Sequence, residues 1–397
     1  MAQEAIEYYL RAADYSRQRY ADTEAADLLR RALSLCRGFP ESDRRLKQEL
    51  DLLVALGPAL VTTEGYSAAE VGATYERALD LSRRLEDSSI FAILCGIWIF
   101  HVVRGDLKKA REVSLELLSA AERRQNTGLM LAGNFILGCS LFHLGSIEAS
   151  LQHMTTAIRM DGGSSEPLLA PFAIPDLRVF CHCYLAHLTW HRADGQQADI
   201  HAEQALTAAK RIRQPFGEAI ALDYSAMLHV FRGESRAALE RGREAVELCR
   251  RHGFAYYLAM ANILTGWASA AEGDVTRGLA QLREGLEAIR RMGAELRLPY
   301  YFQLLAETLV RAGLFGEALA SLSNGFAFAS KNSEEWSVAE LYRVQGDFLA
   351  AEGNIASAHA SFLLGVEAAR RAGSAALEQR LLHLADRTVE TASTERS

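Results

Sequence analysis

Seven glycines recur at a regular spacing, and this feature constrains the fold of the 397-residue chain more than any other. Neighbouring members lie 40 residues apart, except for one wider step in the middle of the chain. A small residue follows five of them at the fifth position, for example Ala110 after Gly105. A glycine that ends one helix and a small residue one turn into the next predict a closely packed helical hairpin, repeated along the chain. The seven glycines are Gly65, Gly105, Gly145, Gly233, Gly273, Gly313 and Gly353.

The pattern predicts an all-α protein, because helical periodicity is nearly continuous and strand patterns with tight-turn dipeptides are absent from the sequence. Small residues also lie seven positions before and twelve positions after several turn glycines, which matches the register of the tetratricopeptide repeat (TPR). Gly195 is the predicted turn glycine within the wider step. The repeat exceeds the usual TPR unit of about 34 residues; HEAT and armadillo repeats have this length but lack this glycine and alanine pattern, so they are the weaker alternative. We therefore expect an α-solenoid of about nine stacked antiparallel helix hairpins, a TPR-like right-handed superhelix with repeats of about 40 residues.

Residues 1–390 are predicted to form a single array with one interruption. Residues 160–176 contain two adjacent glycines and three prolines, which cannot continue a helix. We expect an irregular loop there, which separates an amino-terminal part, 1–159, from a carboxy-terminal part, 177–390. The end of the chain, 391–397, is predicted to be a disordered tail.

The composition favours a folded chain and argues against two classes of partner. Acidic and basic side chains, 50 and 43 in number, are interspersed, and the formal net charge is −7. The sequence has no basic stripe that could neutralise a phosphate backbone, so no nucleic acid partner is expected. The longest apolar run, Ile90–Val103, is shorter than the roughly 20 residues that span a bilayer. With no leader-like start and six cysteines that form no Cys-x-x-Cys pair, we expect a cytoplasmic protein with reduced thiols and no membrane association.

Five stretches of the sequence carry a resemblance to a known family. They read AIEYYLRA (5–12), ELDLLVALGPAL (49–60), GYSAAEV (65–71), GWA (266–268) and AELYRVQG (339–346). They resemble the carboxy-terminal TPR region of bacterial multidomain signalling proteins, in which the repeats follow a signalling ATPase module, commonly preceded by a class III adenylate or guanylate cyclase domain or a DNA-binding regulator domain. The resemblance implies a sensing or docking arm that serves an ATPase or cyclase module. Because this chain has no Gly-x-x-x-x-Gly-Lys-Ser/Thr phosphate loop, neither catalytic activity is implied for it.

Positions three, six, ten and thirteen residues before a turn glycine are predicted to face the concave side of the superhelix, where TPR arrays bind their partners. An apolar patch around Trp267, beside acidic and amide groups, suits an amphipathic helix or an extended peptide. The competing interpretation is that Trp267 and Met227 only pack between adjacent repeats. The predicted binding residues are Asp223, Met227, Ile263, Trp267, Tyr300, Gln303, Glu307, Glu340, Arg343 and Asp347.

The sequence offers one candidate for a metal site, formed by Cys183, His187 and His191 on one helical face. In the repeat register these residues fall on the face packed against the partner helix, so we expect core residues and no metal or other cofactor. Neither Gly-x-Ser-x-Gly nor His-Glu-x-x-His occurs, and no catalytic set is predicted. The acidic pair Glu334-Glu335 is expected to cap a helix or to lie in solvent.

These observations predict a non-catalytic scaffold that binds a protein or peptide through its concave face, as the sensing or docking arm of a bacterial signalling ATPase, cyclase or regulator. One alternative is a small-molecule or inducer receptor that uses the hollow of the superhelix, with residues 160–176 as a lid. A second alternative is a metal-dependent enzyme centred on Cys183 and His187.

Overall fold

The computed structural model describes residues 2–19, 21–87, 89–160, 177–212 and 215–394. These residues contain 19 α-helices and no strand, which confirms the all-α prediction. Helices α1 to α18 pair in order as nine hairpins, and α19 packs on the last of them. None of the described helices is both long and apolar enough to cross a bilayer. The helices are α1 Ala2–Gln18, α2 Asp22–Arg37, α3 Asp43–Glu64, α4 Ala69–Leu85, α5 Ile90–Val103, α6 Leu107–Arg123, α7 Thr127–His143, α8 Ile147–Met160, α9 Leu177–His191, α10 Gly195–Ile212, α11 Pro215–Arg232, α12 Ser235–His252, α13 Ala255–Ala271, α14 Val275–Arg291, α15 Leu298–Arg311, α16 Phe315–Asn332, α17 Val338–Ala351, α18 Ile355–Ala372 and α19 Ala375–Thr394.

A glycine and a capping residue build the turn inside a hairpin. Gly105 has a φ of +78°, and the Asp106 carboxylate accepts a hydrogen bond from a backbone N–H in the first turn of α6, at 3.4 Å. This left-handed conformation is costly for a residue with a Cβ atom, which is why glycine recurs at this place. All seven predicted turn glycines have a positive φ, as do Gly253, Gly293 and Gly373 after second helices.

The turn between α9 and α10 corrects the prediction for Gly195. Ala193 has a φ of +61° and takes the glycine place, and Gly195 begins α10 instead. The Asp194 carboxylate accepts a hydrogen bond from a backbone N–H of α10 at 3.1 Å. It caps this helix as Asp106 caps α6. Ala193 lies 40 residues before Gly233, so the repeat spacing is kept from this turn onward and the irregularity lies before α9.

Only a small part of the two predicted irregular segments, 160–176 and 391–397, lies within the described residues. Helix α19 continues to Thr394, so the predicted disordered tail is corrected as far as that residue. Buried apolar side chains from Leu377 to Ala385 keep the helical periodicity of this last helix, and no proline or glycine interrupts it. Residues 161–176, which contain nearly all of the predicted irregular loop, and residues 395–397 lie outside the described residues.

Successive turns of the superhelix contact each other, and these contacts narrow its inner face. The backbone N–H groups of Glu295 and Leu296, just before α15, donate to the carbonyl oxygen of Val103 at the end of α5, at 2.9 and 3.1 Å. The same kind of contact recurs two helices later in both segments. There the backbone N–H of Glu335, just before α17, donates to the carbonyl oxygen of His143 at the end of α7, at 3.0 Å. The segments before α15 and α17 therefore dock on the ends of α5 and α7. A position that a single hairpin would expose can be covered by the next superhelical turn.

Glu334 is the polar centre of this contact. Its fully buried carboxylate accepts hydrogen bonds from the backbone N–H of Arg297, at 3.0 and 3.2 Å, and from Trp336 Nε1 at 2.8 Å, and it lies 3.2 Å from His143 Nδ1. Several donors on one carboxylate satisfy a group that would be costly to bury alone. The expectation that this residue lies in solvent is corrected, because the opposing superhelical turn covers it.

Helices α13 and α14 pack backbone to backbone through a pair of glycines. A Cβ atom at Gly266 would lie 2.6 Å from the carbonyl oxygen of Gly278, and one at Gly278 would lie 2.4 Å from that of Gly266. Both distances are far shorter than van der Waals contact, and packed backbone has little room to move aside. Because Gly278 is the small residue five positions after Gly273, the repeat register sets the spacing of the two helices.

Replacing Gly266 with alanine is expected to lower the free energy of unfolding by about 1–3 kcal/mol, because the added methyl group overpacks the contact between α13 and α14. Gly316→Ala is the matched control, since a Cβ at this exposed helical position has no neighbour within 4 Å. The control should be neutral or slightly stabilising through its helix propensity. Urea denaturation followed by circular dichroism measures both variants, and equal losses would contradict the packing argument.

Candidate functional site

The ten predicted binding residues separate into a buried group and a group that lines a cavity. Asp223, Met227 and Ile263 form the buried group, and each has an exposed fraction of 0%. The surrounding helices enclose these three side chains, so a partner cannot reach them. The prediction that they bind a partner is therefore corrected.

The other seven predicted residues line one cavity of about 320 Å³. They come from the first helices of three successive hairpins, α13, α15 and α17. The geometry brings these side chains together, and their binding to a partner stays a prediction. The seven residues are Trp267, Tyr300, Gln303, Glu307, Glu340, Arg343 and Asp347.

The cavity is also lined by residues that the repeat register did not identify. Trp190 lies near the end of α9, Phe231 near the end of α11, Trp336 just before α17, and Arg380 in α19. A signal for Trp190 does exist in the sequence, because this residue lies three positions before Ala193, which takes the glycine place. The other three have no such signal, since a connecting segment, a helix end and the final unpaired helix fall outside the register.

Aromatic rings form the apolar floor of the cavity. The ring centroids of Phe231 and Trp336 lie 5.7 Å apart, those of Phe231 and Tyr300 also 5.7 Å, and those of Tyr300 and Trp336 5.2 Å. Trp190 extends this cluster, with its centroid 5.0 Å from that of Phe231. Such tilted and edge-to-face contacts are the favourable geometries for aromatic pairs, so the floor is a preformed apolar surface.

Arg343 organises the polar side of the cavity. Its guanidinium contacts Glu340 through Nε at 2.6 Å, Asp347 through Nη1 at 2.6 Å and Glu307 through Nη2 at 3.1 Å. Burial alone would lower the pKa of Arg343, but the three carboxylates outweigh burial and raise it, so the arginine stays charged. Burial, together with the neighbouring carboxylates of Glu307 and Glu340, raises the pKa of Asp347 despite its contact with Arg343.

Arg380 fixes the last helix as a wall of the cavity. Its Nη2 donates to the carbonyl oxygen of Phe231 at 2.6 Å, and its Nη1 lies 3.1 Å from a Glu340 carboxylate oxygen. The same guanidinium lies over the Trp190 ring, 5.5 Å from its centroid. One side chain of α19 thereby contacts residues of three first helices, α9, α11 and α17.

Five buried polar atoms on the lining side chains have no hydrogen-bond partner among the described residues. A buried polar group left unpaired costs about 1–3 kcal/mol, so such groups mark places where a bound molecule can supply the partner. Trp267 Nε1–H can only donate and the Gln303 carbonyl can only accept, so the cavity presents both functions. The five atoms are Trp267 Nε1, the Tyr300 hydroxyl oxygen, Gln303 Oε1, Ser337 Oγ and His191 Nε2.

The candidate metal residues Cys183, His187 and His191 lie in the aromatic core beside the cavity, and only His191 reaches its wall. His187 Nε2–H donates to the carbonyl oxygen of Tyr224 at 2.9 Å, and the two rings stack with centroids 5.2 Å apart. His191 Nδ1 lies 2.8 Å from Ser374 Oγ. Within the described part of the chain, no three His, Cys, Asp or Glu side chains are placed to hold a metal ion. These contacts fit the interpretation of the three residues as core.

Comparison with known sequences identifies one distant relative and no family. No protein-family model matches the chain. A protein of Rhizobium meliloti (strain 1021), described only as uncharacterized, is 26% identical over 388 residues. The match includes 96% of this chain and 37% of the relative, so the chain spans little more than a third of the length of the curated relative it matches.

Several solved helical-repeat structures are similar in fold. The structure of the APC/C hetero-tetramer Cut9–Hcn1 has a TM-score of 0.57 and 14% identity, with 98% of this chain and 67% of that chain covered. NprR in complex with its cognate peptide NprX has a TM-score of 0.53 and 14% identity, covering 88% and 99%. Aspartyl phosphate phosphatase F from Bacillus subtilis has a TM-score of 0.51 and 14% identity, covering 91% and 93%. The chain has a TPR-type fold.

Burial makes the stability of the core depend on pH. Burial lowers the pKa of both His187 and His191 to about 3, because a charged ring inside the aromatic core would lose its favourable solvation by water. In the unfolded chain, a histidine has its ordinary pKa of about 6.5. Below that pH, the unfolded state binds protons that the folded state does not bind. The stability contributed by each neutral histidine is therefore complete above about pH 6.5 and is lost progressively as the pH falls toward 3.

His187→Gln is expected to remove one of these titrations while its amide keeps a donor for the Tyr224 carbonyl. The difference in unfolding free energy between wild type and variant should shrink by about 2 kcal/mol from pH 7 to pH 5, since only the wild type loses the contribution of this histidine. Urea denaturation at the two pH values measures the difference. A difference that stays constant would show that the histidine is protonated to the same extent in the folded and unfolded states.

Proposed function

We propose that this chain is a non-catalytic TPR-type scaffold that binds a peptide segment of a partner protein at the cavity. The observation that carries the proposal is the convergence of seven predicted inner-face residues from α13, α15 and α17 on one cavity, which residues of α9, α11 and α19 also line. NprR, which is similar in fold, has been solved with its cognate peptide, and this lends support to a peptide as the ligand of a TPR-type superhelix.

A peptide fits the chemistry of the cavity wall. An extended peptide presents backbone N–H and C=O groups beside its side chains, and the wall offers unpaired donors and acceptors beside an aromatic floor. The volume of about 320 Å³ is near the lower limit of ordinary ligand pockets, roughly 300–1,000 Å³. Only a few residues of a partner therefore enter the cavity, and the remainder of the peptide lies outside it.

We place this binding site in the sensing or docking arm of a larger bacterial signalling protein. The sequence stretches described above resemble the TPR region of proteins with an ATPase module and a cyclase or regulator domain. The relative from Rhizobium meliloti is supporting evidence, because it extends well beyond the region that the chain matches. In this proposal, occupancy of the cavity is the input that the module elsewhere in such a protein reads.

A small-molecule or inducer receptor is the second candidate function. The observation that favours it is the confined shape of the cavity, which side chains from α9, α11, α13, α15, α17 and α19 line together. A metabolite of suitable size would bury most of its surface there, as ligands of such pockets do. The metal-dependent alternative has no comparable support, since the candidate ligands contact other protein groups in the core.

Two parallel screens distinguish these functions, one with phage-displayed linear peptides and one with a metabolite library in a thermal-shift assay. We expect selected peptides to bind the purified chain in isothermal titration calorimetry. Gln303→Leu should weaken their binding at least about tenfold, or about 1.4 kcal/mol, because it removes an acceptor from the cavity wall.

Gln152→Leu is the matched control, because Gln152 is exposed on α8 and does not line the cavity. This variant should bind selected peptides as the wild type does. A metabolite that binds and stabilises the protein, together with the absence of any selected peptide, would contradict peptide binding and favour the receptor.

A further inference from the structure

Every charged side chain on the wall of the cavity already has a partner of opposite charge. Glu307, Glu340 and Asp347 contact Arg343, and Glu340 also contacts Arg380. The remaining charged residue of the wall, Arg232, lies 2.6 Å from the carboxylate of Asp199. A charged ligand would have to break one of these pairs or remain uncompensated in a largely desolvated site. The wall therefore favours an uncharged ligand.

Two of the unpaired polar atoms have only one possible role. The Trp267 indole Nε1–H has no acceptor among the described residues and can only donate. The Gln303 side chain donates through Nε2 to Glu307 at 3.2 Å, which leaves its carbonyl oxygen as an acceptor without a donor. A backbone amide of a ligand satisfies both atoms, because its C=O accepts from the indole N–H and its N–H donates to the glutamine carbonyl oxygen.

The aromatic floor of the cavity indicates which kind of side chain lies beside this amide. Phe231, Tyr300 and Trp336 present a preformed set of ring faces and edges, and all three are almost completely buried. A further aromatic ring gains both apolar burial and the favourable edge-to-face geometry there, whereas a small side chain gains little of either.

We propose that the cavity recognises an uncharged, internal peptide segment and holds one of its aromatic side chains on the floor formed by Phe231, Tyr300 and Trp336. The backbone amides that flank this side chain pair with Trp267 and Gln303. A free terminus or a charged side chain is excluded, because the ion pairs on the wall leave no charge to receive it. This inference rests on the proposed function and names the class of peptide that the same site selects.

The four tryptophans of the chain provide a direct test. Trp190, Trp267 and Trp336 line the cavity, whereas Trp98 lies elsewhere and its Nε1 donates to Ser140 Oγ at 2.9 Å. The indole N–H signals of the ¹⁵N-labelled full chain are recorded by NMR while N-acetyl-Gly-Phe-Gly-amide is added. The Trp267 signal should shift most and saturate, because its N–H gains an acceptor, and the Trp98 signal should not move.

Three matched tripeptides test the selectivity. They are N-acetyl-Gly-Ala-Gly-amide, which lacks the ring, N-acetyl-Gly-Glu-Gly-amide, which carries a charge, and Gly-Phe-Gly with free termini. Each should bind at least about tenfold more weakly than the blocked aromatic tripeptide, a difference of about 1.4 kcal/mol. Trp267→Phe, which keeps a ring but removes the N–H, should weaken binding of the aromatic tripeptide about fivefold or more, and Trp98→Phe should leave its affinity unchanged.

The possible failures are distinguishable. If the alanine, glutamate or free-terminus peptide shifts the Trp267 signal as strongly as the aromatic one, the selectivity is wrong and peptide binding stands. The inference is also wrong if the aromatic tripeptide causes no shift of the Trp267 signal at concentrations up to roughly 10 mM, because a complex with a millimolar Kd would be detected there. If no peptide from the phage library binds either, the proposed function falls with it.

Discussion

The backbone hydrogen bonds between successive superhelical turns decide what the inner face of this protein can do. Val103 and His143 accept these bonds from the segments before α15 and α17. Without them, the first helices would line an open wall, as in an extended array of repeats. With them, distant hairpins meet, and side chains from α9, α11, α13, α15, α17 and α19 line one cavity. Arg380 completes this arrangement by contacting Phe231 and Glu340 from the last helix.

Closure of the superhelix brings polar groups into its interior, and their chemistry shows how they are tolerated. Arg297 donates to the hydroxyl groups of Tyr184 and Tyr224 and lies over the Tyr224 ring, 5.1 Å from its centroid. Burial raises the pKa of Asp223 well above its usual range, which disfavours a charge on this carboxyl in the core. The charged residues of the cavity differ, because Arg311, Arg343 and Arg380 together offset the carboxylates of Glu307, Glu340 and Asp347. Among the described residues that line the cavity, each charged side chain has an oppositely charged partner, so what remains for a ligand there is hydrogen bonding and apolar contact.

The repeat register predicted the hairpins, because turn glycines, caps and small residues act within one repeat and leave a periodic pattern. Three residues that it assigned to the concave face, Trp267, Gln303 and Arg343, line the cavity. It failed for Asp223, which occupies an equivalent position in the repeat register, because the surrounding hairpins bury this side chain completely. It also missed Trp336, whose segment between hairpins has no periodic signal.

The sequence by itself determined the all-α class and the pairing of helices into hairpins. These properties follow from interactions between residues of one repeat, which a spacing of 40 residues records. Only the tertiary structure decided which inward positions become core and which line a cavity. The reason is that small rotations between neighbouring hairpins add up along the array, and their sum decides which distant side chains meet. No local sequence pattern predicts the total rotation along the array.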